Sequence, residues 1–124
     1  MESTLKEELI DKLNQISESI DIIQQRRKGF HTIEDCLQSM FGMTILDACI
    51  MRIQVIGETV KSIDDKTNGT LFSLYPEIPW KKIIGLRNII SHEYANIDEA
   101  IVFDVIKEEL PRMQEAVKKI LLEY

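Results

Sequence analysis

Residues 45–63 read ILDACIMRIQVIGETVKSI. Leu46, Cys49, Ile53, Ile56, Val60 and Ile63 recur at steps of three and four, the spacing of one face of an α-helix. Ile45, Ala48, Ile50 and Val55 widen that face until most of the circumference is apolar. Such a helix belongs at the centre of a fold, touching two neighbours or a second subunit. The pattern predicts a helix over about 43–64, and other helices must pack around it.

The flanking sequence supplies them. Leu5, Leu9, Leu13, Ile16, Ile20 and Ile23 form one stripe of an amphipathic helix over about 3–28. RRKG closes it, with cations at the C-terminus and Gly29 just past the end. A short helix is expected over about 32–39, with Thr32 as N-cap and Asp35 three residues on. Gly42 in FGM marks a possible break before the central helix. DDKTNGT at 64–70 reads as a loop, and LFSLYPEIPW as an irregular apolar connector. Pro79 suits the first turn of a helix that runs to about His92 or Tyr94, with Trp80 as its packing anchor. Asp98 can cap a last helix whose stripe is Val102, Ile106, Leu110, Met113, Val117, Ile120 and Tyr124. Pro111 should kink or split that helix near Leu110. Met40, Met43, Met51 and Met113 read as core filler. There is no strand-length alternation and no internal repeat. The expected architecture is all-α, a bundle of four to six helices forming one domain over residues 1–124.

A chain of 124 residues with 44% hydrophobic and 29% charged content can bury a core and stay solvated outside. The net charge of −6 argues against a broad basic face for nucleic acid, but leaves room for a small basic pocket that handles one phosphate. Cys36 and Cys49 lie among apolar neighbours without a CxxC spacing, which reads as buried free thiols in a reducing compartment. MESTLKEELIDKL lacks the basic start and apolar run of a signal peptide. No uninterrupted run of 18 apolar residues is present, so no membrane association is expected and the expected location is cytoplasmic. His31, His92 and the two cysteines have no usual zinc-ligand spacing, so no metal or cofactor is expected.

One segment breaks the bland pattern. Residues 85–98, GLRNIISHEYANID, place Arg87, Asn88, His92 and Tyr94 within eight residues. On an ideal helix Trp80, Ile84, Arg87, Ser91 and Tyr94 form one line, and Gly85, Asn88 and His92 an adjacent one. Gly85 would let another backbone come close. Arg87 and His92 are five residues apart, about 140° around a regular helix, so they do not converge unaided. A bend near the helix end could bring them together. The favoured alternative is a twofold-related copy that places two Arg and two His around one cleft. His can move a proton near neutrality, and the planar Arg fork matches a phosphate. The pair suits metal-free cleavage of an RNA phosphodiester. His92 would deprotonate the 2′-hydroxyl or protonate the leaving 5′-oxygen, and Arg87 would stabilise charge building on phosphorus. Asn88 would orient His92 or bond the phosphate. Lys81, Lys82, Arg87 and Arg52 provide local positive charge. The plainer reading is that these residues cap carbonyls or pair with Glu58 or Glu93.

The string RNIISHEY has the form Arg-x4-His-x-Tyr with Asn after the Arg, and it resembles the HEPN superfamily, specifically HepT-type toxins of HepT/MNT toxin–antitoxin systems. VIGETVKSI at 55–63 resembles the Gly-Glu segment of that family's central helix. YPEIPWKKIIGLRN and ANIDEAIVFDVIKEELP resemble its flanking segments. The resemblance covers about residues 30–113. It implies an all-α homodimer whose motif helices line a shared cleft, acting as a metal-independent ribonuclease on an RNA substrate. It implies that Arg87 and His92 are the catalytic pair, with Asn88 supporting. It also implies that the antitoxin is a minimal nucleotidyltransferase that transfers AMP from ATP onto the motif tyrosine, here Tyr94. The rival expectation is a non-catalytic helical module that binds a nucleotidyltransferase partner.

Overall fold

A computed structural model describes residues 3–124. Its elements are α1 (Ser3–Arg26), α2 (Ile33–Leu37), α3 (Met40–Lys66), α4 (Trp80–His92), α5 (Glu99–Asp104) and α6 (Leu110–Leu122). Single 3₁₀ turns occupy Phe72–Leu74 and Tyr94–Asn96, and a π-helical turn, Val105–Glu109, joins α5 to α6. There is no strand among the described residues, so the all-α expectation holds.

α3 is the central helix and packs against α1, α4 and α2. Leu46, Cys49, Ile50, Ile53, Ile56, Val60 and Ile63 are buried, as their spacing requires. They join Leu9, Leu13, Ile16, Ile20 and Ile23 of α1 and the stripe of α5–α6 in one continuous core. By length and composition alone α3 could cross a membrane, with a mean hydropathy of 1.4 over its most apolar 18-residue window. Asp47 and Arg52 interrupt the run of apolar residues, which is why no unbroken stretch appears in the sequence.

The helix ends follow local chemistry. Thr32 and Asp35 close a full capping box on α2, with Thr32 Oγ1 accepting from the Asp35 N–H at 3.1 Å. Gly29 stands at φ +91°, the left-handed conformation expected beyond α1. Asp98 caps α5 by accepting from the N–H groups of Ala100 and Ile101.

FGM does not break α3. Ser39 caps it, with its Oγ accepting from the Gly42 N–H at 2.9 Å, and the helix starts at Met40. Gly42 is needed because a Cβ there would collide with the Cys36 carbonyl. The last helix is interrupted next to Pro111, near Leu110 as expected, by a change of register. The ladder shifts to a π register one turn earlier, where the Leu110 N–H donates to the Val105 carbonyl. The Ile106 carbonyl that this shift frees accepts from Gln24 Nε2 at 2.9 Å.

The methionines need a correction. Only Met113 of the four is buried, whereas Met40, Met43 and Met51 are exposed on α3. A helix apolar on most of its circumference cannot cover every face with α1, α2 and α4, and these side chains lie on the uncovered one. Trp80 is a packing anchor as expected: it stacks on Phe72 at 3.9 Å, and its Nε1 donates to the Tyr75 carbonyl at 3.0 Å. Cys36 and Cys49 are buried free thiols.

Candidate functional site

α3 and α4 are held unusually close where Arg87 leaves α4. A Cβ on Gly57 would collide with the Arg87 Cβ and lie 3.0 Å from the Ile83 carbonyl oxygen. Gly57, not Gly85, is therefore the glycine that admits a second helix within this chain. Gly85 has nothing within 4 Å of where its Cβ would be. The stem of Arg87 is seated against Gly57, and its fork emerges at the surface.

Three polar pairs cross from α3 to α4 and the turn beyond it. Glu58 Oε1 lies 3.5 Å from Arg87 Nη2. Gln54 Nε2 donates to Ser91 Oγ at 2.8 Å. The Tyr94 hydroxyl donates to Asp47 Oδ1 at 2.7 Å. Arg87 Nη1 also donates to Asn88 Oδ1 at 2.9 Å, so Asn88 orients the guanidinium rather than His92. Arg87 Nε is buried and has no hydrogen-bond partner. Its long ion pair with Glu58 involves side chains 27% and 49% exposed, so it contributes about 0–1 kcal/mol and is cheaply displaced by an anion. The fork opens onto a shallow groove of about 320 Å³ lined by Glu58, Lys61, Ser62, Asp65, Lys66 and Arg87.

His92 is the last residue of α4, and it is exposed. The chain leaves helical geometry one residue later, at Glu93 (φ −140°, ψ 40°). The bend therefore comes too late to turn His92 toward Arg87. Within one chain the two side chains stay about 140° apart in register, and no hydrogen bond among the described residues involves the His92 ring. Asn88, Gly85 and His92 share the outward face, as their spacing predicts.

Tyr94 departs from the Trp80–Ser91 line. It sits in a 3₁₀ turn that carries its ring back over α3, onto Asp47. Tyr94 is 47% exposed. Partial burial, the Asp47 hydrogen bond and charge, and the charge of Glu99 push its hydroxyl up to about 12. A cavity of about 180 Å³ adjoins it, lined by Asp47, Ile50, Tyr94, Ala95, Ile97 and Glu99.

The expected local positive charge is offset in part. Lys82 pairs with Glu109 at 2.8 Å and Arg87 with Glu58 at 3.5 Å, whereas Lys81 and Arg52 form no ion pair among the described residues; in the groove, Lys61 pairs with Asp65 at 2.9 Å and Lys66 with Glu8 at 3.1 Å. A larger cavity of about 540 Å³ opens beside Trp80 and Phe72, at the opposite end of α4 from His92. Trp80 offers it no free face for a base, since one face is stacked on Phe72 and the residue is 7% exposed.

The motif segment alone does not point to Asp47 and Gln54 as part of this region. The sequence does carry a signal for them: Asp47, Gln54 and Glu58 follow one another at steps of seven and four, a polar line on an otherwise apolar helix.

A family model described as "Ribonuclease HepT-like" matches residues 16–120. A Methanocaldococcus jannaschii protein described as "Gamma-glutamylcyclotransferase and putative RNase" is 33% identical over 111 residues, 90% of this chain and 46% of that protein. A second protein of that organism, described as "Putative RNase", is 34% identical over 71 residues, 57% of this chain and 62% of that protein. A Thermococcus cleftensis protein described as "Probable ribonuclease HepT" is 26% identical over 111 residues, 89% of this chain and 93% of that one. The matches thus span about half to three-fifths of the first two relatives. No solved structure matches the chain.

Proposed function

The chain belongs to the HepT-like ribonuclease family, and from that premise we propose that residues 1–124 act as one HEPN domain, a metal-independent RNA endonuclease that works as a homodimer. The observation that carries the reading is the Arg87 fork: braced by Asn88, seated against Gly57, left with an unpartnered Nε, and opening onto a groove. That is a seat for one phosphate, where a guanidinium can stabilise the charge that develops during transfer.

His92 is the acid–base group. Because His92 and Arg87 diverge within one chain, a twofold-related copy supplies the imidazole that faces each Arg87. Exposed Met51, Val55 and Ile89 beside the polar pairs, and the open space over Gly85, suit such a contact. One His92 removes the proton from the 2′-hydroxyl, whose oxygen attacks phosphorus. The 5′-oxygen leaves with a proton from the other His92, and a 2′,3′-cyclic phosphate results. No metal is required for this balance.

Tyr94 is the control point. A minimal nucleotidyltransferase antitoxin would transfer AMP from ATP to its hydroxyl, with pyrophosphate leaving and the phenolic proton lost, adding bulk and negative charge beside Asp47, past the His92 end of the motif helix. Tyr94→Phe should then escape that modification. A Tyr94→Phe protein that is still labelled by the partner and ATP rules out this acceptor.

The separation of Arg87 from His92 within one chain favours a second reading, a non-catalytic module that binds the nucleotidyltransferase. A short RNA with a single 2′-deoxy nucleotide at the cleaved position decides between them. The nuclease reading expects cleavage of the all-ribose substrate, cyclic-phosphate ends, and none at the deoxy position. Equal cleavage of both substrates refutes the internal nucleophile, and no cleavage of either favours the binding module.

A further inference from the structure

The His92 ring makes no hydrogen bond among the described residues, yet a proton-transfer group must be aimed. The turn that follows it is held by local backbone bonds (Glu93 N–H to the Ile89 carbonyl, Asn96 N–H to Glu93, Ile97 N–H to Tyr94) and by partial burial of Ile97. Among the described residues, only one side-chain hydrogen bond ties residues 92–97 to another element: Tyr94 to Asp47 at 2.7 Å. It bridges 47 positions of sequence, from the turn to the first half of α3.

We propose that Asp47 is a positioning residue, and that by holding the Tyr94 hydroxyl it fixes the turn after α4 and so the aim of the His92 imidazole. This inference rests on the ribonuclease reading above. It also gives a modification of Tyr94 a second route of action. An esterified phenolic oxygen has no proton to donate, and a phosphodiester anion there would face the carboxylates of Asp47 and Glu99, which line the adjoining cavity. The clasp would open and His92 would lose its support, in addition to any blocking of the cleft.

The test is steady-state cleavage of a short fluorogenic RNA by the purified full chain and four variants: Asp47→Ala, Asp47→Asn, Tyr94→Phe and the Asp47→Ala/Tyr94→Phe double. Removing either side of the clasp should lower kcat about ten- to a hundredfold with KM little changed, up to the scale expected for a catalytic group misplaced by about 1 Å. The double variant should be no slower than either single one, because both remove the same bond. Asp47→Asn keeps an acceptor oxygen and should recover most of the activity. His92 ring resonances in the NMR spectrum should move in Asp47→Ala and much less in Asp47→Asn.

Wild-type kcat in Asp47→Ala and Tyr94→Phe, beside an inactive His92→Ala, overturns the clasp and leaves the ribonuclease reading standing. Additive losses in the double variant, or unmoved His92 resonances in Asp47→Ala, also overturn it. Failure of the parent reading is distinguishable: wild-type protein and His92→Ala would then cleave equally or not at all, and this inference falls with it.

Discussion

Replacing Gly57 with Ala adds one methyl group where α3 and α4 approach most closely. The new Cβ would collide with the Arg87 Cβ, lie 3.0 Å from the Ile83 carbonyl oxygen and 3.1 Å from the Arg87 Cγ. None of these is the loose end of a flexible side chain, so the helices must part or tilt by several tenths of an ångström. Overpacking of this kind costs about 1–3 kcal/mol. Ala is a better helix former than Gly by about 1 kcal/mol, which offsets part of that cost. The collision with the Arg87 Cβ puts the cost in the upper part of that range, so a net loss of about 1–2 kcal/mol is expected, a fall in Tm of roughly 3–10 °C for a chain of this length. Arg87 should suffer beyond the stability change, because the displaced atoms are its own stem. Thermal unfolding followed by circular dichroism gives the first number, and RNA cleavage well below Tm gives the second. A Gly57→Ala protein with unchanged Tm and full activity would refute the argument that this glycine sets the Arg87 position.

Gly85→Ala should behave in the opposite sense. Its Cβ meets open space in the single chain, so the separated chain should gain up to about 1 kcal/mol, while dimerisation measured by analytical ultracentrifugation should weaken. Thr32→Ala removes the cap of α2 and should cost about 1 kcal/mol by denaturant unfolding. The Cys49 thiol is pushed up to about 11 by burial, so native protein should resist alkylation at pH 8 and react on unfolding. A folded value above the ordinary 9.0 means that the neutral thiol's contribution is present below about pH 9 and is lost as pH rises toward about 11. A pH–stability curve for Cys49→Ser should show less of that alkaline decline than wild type.

Much of this fold could be read locally. The stripes of α1, α3 and α6, the Thr32 cap, Gly29 and Asp98 each depend on residues within one or two turns, and each appears where its spacing puts it. The errors involve information carried by other elements. Periodicity cannot say which face of a widely apolar helix goes uncovered, so spacing alone assigns Met40, Met43 and Met51 to the core. Gly57 and Gly85 look alike until α4 is laid on α3. The π turn before Pro111 depends on Gln24 of α1 accepting the role of partner for a freed carbonyl. At the candidate site, Arg87 on the outer edge of the core and His92 on the outward face were legible from their 100° steps. The departure of Tyr94 was not, because it follows from the backbone at Glu93. The Asp47 partner lies 47 positions away from Tyr94, beyond the reach of any spacing rule.

The central claim is that Arg87 and His92 together cleave RNA without a metal. The most direct measurement incubates purified protein with total RNA in excess EDTA, beside a folded His92→Ala variant of unchanged Tm. The account predicts fragmentation by the wild-type chain at the same rate with and without EDTA, and intact RNA with His92→Ala. Fragmentation by both proteins, or wild-type activity abolished by EDTA and restored by a divalent cation, would contradict it.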